Sequence, residues 1–136
     1  MLTKTITLTV TMIAATAAAA AQDLPPLRDN DRVQKEFLSA AVGDEIRKNC
    51  PTMSARMFRV WTRARELEQY AISLGYTKDD IDAMRKDPDA KEWLKTQRDN
   101  YLEKNGVVSG DAESYCQLGR DEIERNSLTG WLLRAN

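Results

Sequence analysis

The chain has 136 residues, with 20 basic and 21 acidic side chains for a formal net charge of −1, two cysteines and no histidine. The near-balance of charge gives no reason to invoke nucleic acid or an anionic membrane surface. The missing histidine removes histidine acid–base catalysis, Ser–His and Cys–His nucleophiles and histidine metal sites in one step.

The N-terminal stretch MLTKTITLTVTMIAATAAAAA carries one positive charge, Lys4, and ends in a run of alanines. Ala19-Ala20-Ala21 satisfies the small-x-small rule, so residues 1–21 are expected to be a cleaved secretory signal with Gln22 as the new N-terminus. The alternative is a membrane anchor. The uncharged stretch from Thr5 to Gln22 is at the lower limit for a span, but it is diluted by threonine and alanine. No cysteine lies near the cleavage point, which excludes lipid attachment through a thiol there. Removing 21 of 136 residues, Lys4 among them, leaves 115 residues with 19 basic and 21 acidic side chains, a net charge of −2. That is the size of one small domain, able to bury roughly 65% of its unfolded surface.

Residues 22–30, QDLPPLRDN, show no periodicity and contain Pro25 and Pro26, which predicts an extended leader. The domain, residues 31–136, is expected to be all-α. A first helix starts near Asp31 with Val33, Phe37 and Ala41 beside Leu38, Val42, Ile46 and Cys50, a stripe about 100° wide. Pro51 stops it. A second helix opens at Thr52 or Ser54, both N-cap types, and carries Met57, Trp61, Ala64, Leu67, Ala71 and Leu74 at 3–4 spacing, with Gly75 as its left-handed cap. Thr77 caps a short third helix with Asp79 and Asp80 in its first turn. Asp87 and Pro88 restart the chain into a fourth, with Trp93, Leu94, Tyr101 and Leu102 on its face, as far as Gly106. Asp111 begins the last main helix, through about Arg125, where Tyr115, Cys116, Gly119 and Ile123 share a face. Arg120–Glu124 and Asp121–Arg125 are its expected i,i+4 pairs. The tail, with Trp131, Leu132 and Leu133, is too apolar to dangle and is expected to fold back. No strand pattern or repeat is visible. The expected architecture is a small bundle of about five helices stapled by one disulfide.

That disulfide is Cys50–Cys116. Two cysteines alone cannot make a tetrahedral zinc site, and their spacing is not that of a redox motif. Both fall on apolar helix faces, and in an exported protein with two cysteines a structural bridge is the default.

The segments DEIRKNC, LGY, SYCQLGRDEI and the terminal GWLL together resemble a family of small secreted alphaproteobacterial proteins catalogued as a domain of unknown function. The resemblance covers most of residues 30–133 and is most specific around Cys116. It implies an exported helical protein with both cysteines matched, and it brings no activity or ligand.

Arg56, Arg59 and Arg63 lie within about 60° of one another on the second helix. They could grip an acidic partner, because guanidinium forks match carboxylates, or they could pair with Glu66 and acids on neighbouring helices. Asp79, Asp80, Asp82, Asp87 and Asp89 lack the alternation and central glycine of a calcium loop, so no metal is expected. Trp61 and Trp93 are in register with core stripes. Trp131 and Leu132 are less constrained and are candidate partner contacts. Paired-carboxylate catalysis finds no acid in an apolar setting, Glu45 coming nearest.

The leading expectation is a non-enzymatic, periplasmic or secreted helical module without cofactor, metal or membrane-spanning segment, acting by binding another envelope or secreted protein. The second is an acid- or stress-activated chaperone, whose transition would fall at carboxylate pKa values because there is no histidine. A third, a carrier for a small apolar ligand, requires a cavity between helices.

Overall fold

Capping residues punctuate the chain much as their chemistry dictates. The computed structural model describes residues 23–136, so the expected signal segment and its cleavage point lie outside the described residues. Helix α1 (Asp31–Asn49) begins after Asn30, whose side chain accepts hydrogen bonds from the amides of Arg32 and Val33, and ends at Cys50 before Pro51. Thr77 and Asp80 form a reciprocal capping box on α3 (Lys78–Lys86). Asp87 caps α4 (Pro88–Lys104), with Pro88 in its first turn, and Asp111 caps α5 (Ala112–Glu124). Gly75 takes a φ of +101°, as a left-handed cap requires.

Helix α1 runs through the middle, packed by α4, α5 and a five-residue α6 (Leu128–Leu132). The main core gathers Val42, Ile46, Cys50, Leu102, Cys116, Leu118 and Leu133 around the Cys50–Cys116 disulfide. A second, smaller core of Leu27, Val33, Ala71, Tyr76 and Ile81 lies under α2 (Met57–Ser73) and α3. The expected all-α bundle with one disulfide is therefore the observed one.

Several local expectations are corrected. Two short strands exist, β1 (Met53–Ala55) and β2 (Leu133–Ala135), antiparallel, with Ser54 opposite Arg134. Three residues are too few to show alternation, and the pairing joins segments far apart in sequence. Because β1 occupies residues 53–55, α2 opens at Met57 and not at Thr52 or Ser54, and its N-cap residue Arg56 makes no side-chain cap. The leader is docked, with a 3-10 turn at Leu27–Asp29 that buries Leu27, and Pro25 accepts a 2.6 Å hydrogen bond from the Tyr76 hydroxyl. On α5, Arg120 pairs with Glu113 and Arg125 with Glu122, in place of the expected i,i+4 pairs.

Gly130 is where α6 crosses α5. A Cβ there would lie 2.0 Å from the Glu122 carbonyl oxygen and 2.5 Å from the Ile123 nitrogen. Backbone cannot yield as a flexible side chain would. Gly130→Ala is expected to destabilise the protein by about 2 kcal/mol through overpacking, read as a lower denaturation midpoint. An unchanged midpoint would mean that the crossing is looser than described.

Candidate functional site

Helix α2 has two apolar stripes, and only one faces the protein. Val60, Leu67 and Ala71 turn inward, Ala71 fully buried and the other two half-buried, while Ala64 on the same stripe stays exposed. The other stripe starts at Met57, Phe58 and Trp61, which are 55%, 82% and 69% exposed. The expectation that Trp61 sits in the core is thereby overturned. At 100° per residue Val60 and Trp61 cannot both face inward, and the stripe at 60, 64, 67 and 71 has the small residues that fit beneath the helix. Trp93 on α4 is half-buried.

The C-terminal tail lies along the Arg56–Arg59 flank of the same helix. Trp131 is 40% exposed, with the Arg59 guanidinium 4.8 Å from its ring centroid. Arg59 Nη1 also donates to the Trp131 carbonyl at 2.9 Å, and Arg56 Nε donates to the Leu133 carbonyl at 3.0 Å. Two of the three candidate arginines thus hold the tail against α2. Leu132 is buried, so it supports this surface from beneath and offers no contact itself.

Arg63 has a different task. Its Nε and Nη2 bond both oxygens of Glu36 at 2.9 Å, and its Nη1 bonds Glu66. Glu36 is buried and also accepts from Arg32 Nε at 2.8 Å. A buried carboxylate held by a bidentate guanidinium is a satisfied structural group. This matches the neighbouring-acid alternative for Arg63, and the carboxylate it meets is on α1.

The arginines nevertheless leave a charged surface. Residues 50–65 and 125–136, joined by β1–β2 and the Arg56 and Arg59 clamps, contain six arginines and no acidic residue. Among the described residues, Arg56, Arg59, Arg65 and Arg134 make no ion pair with a carboxylate. Chain-wide net charge hid this segregation, because the two stretches lie some sixty positions apart. The signal was legible in the two acid-free stretches. The result is an arginine-rimmed aromatic face on a protein of slightly negative net charge.

Sequence reasoning also missed the most deeply buried acid. Glu122 has no exposed surface and binds three elements at once. It accepts from the Tyr101 hydroxyl of α4, the Ser127 hydroxyl that caps α6, and Arg125 Nη2 at 2.6 Å. Burial, then the Glu122 carboxylate at the other end of its hydrogen bond, pushes the Tyr101 hydroxyl up to about 12, so it stays a donor at any physiological pH. Every polar atom of the cluster has a partner, and it lies inside the fold and not in a cleft. Glu45 pairs with Arg98 at 3.4 Å and is not in an apolar setting. Among the described residues no group of three acids and cysteines is placed to hold a metal ion, and no helix is long and apolar enough to cross a membrane.

Three carboxyls lie below their ordinary range. Asp80 is lowered by the Thr77 amide and hydroxyl, and Asp87 by the Asp89 amide and Arg28 against some desolvation. In Asp44, partial burial pulls upward but is outweighed by the hydrogen bonds from Lys48 and Arg47. A depressed carboxyl contributes stability that is present above its unfolded value and is lost as pH falls through its folded value. With no histidine, circular dichroism is expected to stay constant from about pH 8 to 5, with loss of structure confined below about pH 4. Apolar-dye binding that rises near pH 6 would contradict this and favour an acid-activated chaperone.

Residues 25–134 match the model of a family of unknown function, DUF5333. No curated protein and no solved structure matches the chain.

Proposed function

The chain belongs to this family of unknown function, and we propose that it is an exported, non-catalytic module that docks on another protein through the arginine-rimmed aromatic face. The observation that carries the reading is the exposure of Met57, Phe58 and Trp61 along α2, with Trp131 packed on Arg59 of the same helix and with Arg56, Arg59, Arg65 and Arg134 free of carboxylate partners among the described residues. Tryptophan and arginine are the side chains most enriched at binding hot spots, since a large rigid ring and a planar charge lose little freedom on contact. Apolar residues this large and this exposed within two turns of one helix mark an interaction site more often than chance exposure.

The charge selects the partner. A surface where arginines outnumber acids, with Glu66 already paired to Arg63, suits an acidic protein segment carrying apolar anchors, held by Arg65 and Arg134 and by Phe58 and Trp61. The face is assembled from a helix, a tail and a strand pair, and polar Thr62 and Arg65 interrupt its apolar stripe. That suits a shaped protein partner better than a bilayer, which asks for one continuous apolar helix face. Export is supported by the Cys50–Cys116 disulfide and by the N-terminal sequence.

Photo-crosslinking in the native cells tests the reading. A photoreactive residue at position 58 or 61 is expected to trap one dominant acidic protein, and one at position 95, on exposed α4 surface, is not. Equal trapping at all three positions, or trapping of phospholipid alone, would count against a protein partner.

A further inference from the structure

Helix α2 stands away from α1 along much of its length, and the gap is a slot. Its floor and walls include Ala40, Val60, Ala64 and Leu67, so small side chains line the space where two helices would otherwise interlock. The slot holds about 200 Å³. At Phe37 and Met84 it meets a second cavity of about 330 Å³ between α1, α3 and α4, lined further by Ala90, Trp93 and Leu94. Val33, Phe37, Met84 and Arg85 belong to both walls. The two are adjoining, predominantly apolar clefts, the first open to solvent at Ala40 and Ala64, of a combined size that holds small ligands. Met84, in the wall between them, is unbranched and adaptable, and its displacement would join the two clefts into one channel.

The mouth of the second cavity has uneven charge. Its acids Asp29 and Asp89 lie 4.0 and 3.6 Å from Arg28, which also holds Asp87 at 2.6 Å. Arg85 reaches only Asp82, at 3.8 Å, and Lys91 has no ion pair among the described residues. One guanidinium and one ammonium therefore stand weakly compensated over an apolar channel. We infer that this channel binds a single unbranched acyl chain, with its anionic head at Arg85 and Lys91. The site is separate from the aromatic face, so neither reading depends on the other.

Trp93 lines the second cavity and supplies the readout. In a Trp61→Phe, Trp131→Phe background it is the one remaining tryptophan. Palmitate or lysophosphatidylglycerol, titrated below micellar concentration, is expected to saturate a change in Trp93 emission at one equivalent. The tighter of the two identifies a free fatty acid or a phospholipid as the source of the chain. Ala64→Trp and Ala90→Trp, each filling one section, are expected to weaken binding about tenfold or more. Arg85→Glu is expected to weaken it roughly fivefold for the anionic amphiphiles alone. Hexadecyltrimethylammonium, with the same chain length and a cationic head, is the control. No saturable response from the wild-type protein would overturn the inference without recourse to any variant. Equal binding of the cationic amphiphile would overturn the head-group assignment, and indifference to both tryptophan substitutions would overturn the location.

Discussion

Replacing both Cys50 and Cys116 by serine is expected to cost about 4 kcal/mol, because the bridge closes a loop between residues 66 positions apart. The open chain regains that conformational freedom only when unfolded, so the loss falls on folding stability. At this chain length it corresponds to a melting temperature lower by roughly 15 °C. For a domain of ordinary stability this is a large fraction of the total. Both sulfurs lie in the main core beside Ile46, Leu118 and Leu133, so the serine hydroxyls add a polar penalty to the entropic one. Guanidinium denaturation of the wild type and the double variant measures it. A difference below about 1 kcal/mol would mean that the loop is already constrained when unfolded.

The second large effect is expected at Glu122. Glu122→Ala removes the acceptor shared by Tyr101, Ser127 and Arg125 and leaves a cavity in its place. Hydrogen bonds to an ionised group contribute about 1.5–3 kcal/mol each, and Arg125 and half-buried Tyr101 can recover part of theirs from water, so a net loss of about 3 kcal/mol is expected. Glu122→Gln keeps the shape and most of the bonds but not the charge, and is expected to lose about half as much. The two variants together separate an organising role from simple filling of space. The Ala variant should also loosen the tail, since Ser127 both caps α6 and bonds Glu122. Faster amide exchange at Gly130 and Trp131 in Glu122→Ala, restored in Glu122→Gln, would register that coupling. Equal stability of Ala and Gln variants would deny it.

What could be read in advance was whatever depends on neighbours in sequence. Thr77, Asp87 with Pro88, and Asp111 mark helix starts through bonds that span two or three residues. The cysteine pairing was accessible too, because two inward cysteines in a chain expected to be exported leave one partner each. What failed depends on distant partners. The rotation of α2 was ambiguous, since Trp61 and Val60 each head a plausible stripe and only the space beneath the helix chooses between them. The β1–β2 pairing needs residues 53–55 and 133–135 to meet. Glu122 looked like any surface acid until Tyr101 and Ser127 closed over it. The spacing of Arg56 and Arg59 puts them on one flank of α2, but the Leu133 and Trp131 carbonyls that occupy them come from the far end of the chain.

That far end also contributes Trp131 and Arg134 to the proposed docking face, which bears directly on how to test it. A variant carrying Phe58→Ser, Trp61→Ser and Arg65→Glu changes only exposed side chains and should fold with unchanged stability. The decisive measurement is the affinity of this variant, beside the wild type, for the acidic partner trapped at position 58 or 61. The docking account predicts wild-type binding that weakens as salt rises, and a loss of at least about a hundredfold in the variant, as removal of two aromatic anchors and reversal of a rim charge would produce. Undiminished binding by a folded variant would place the contact elsewhere and contradict it.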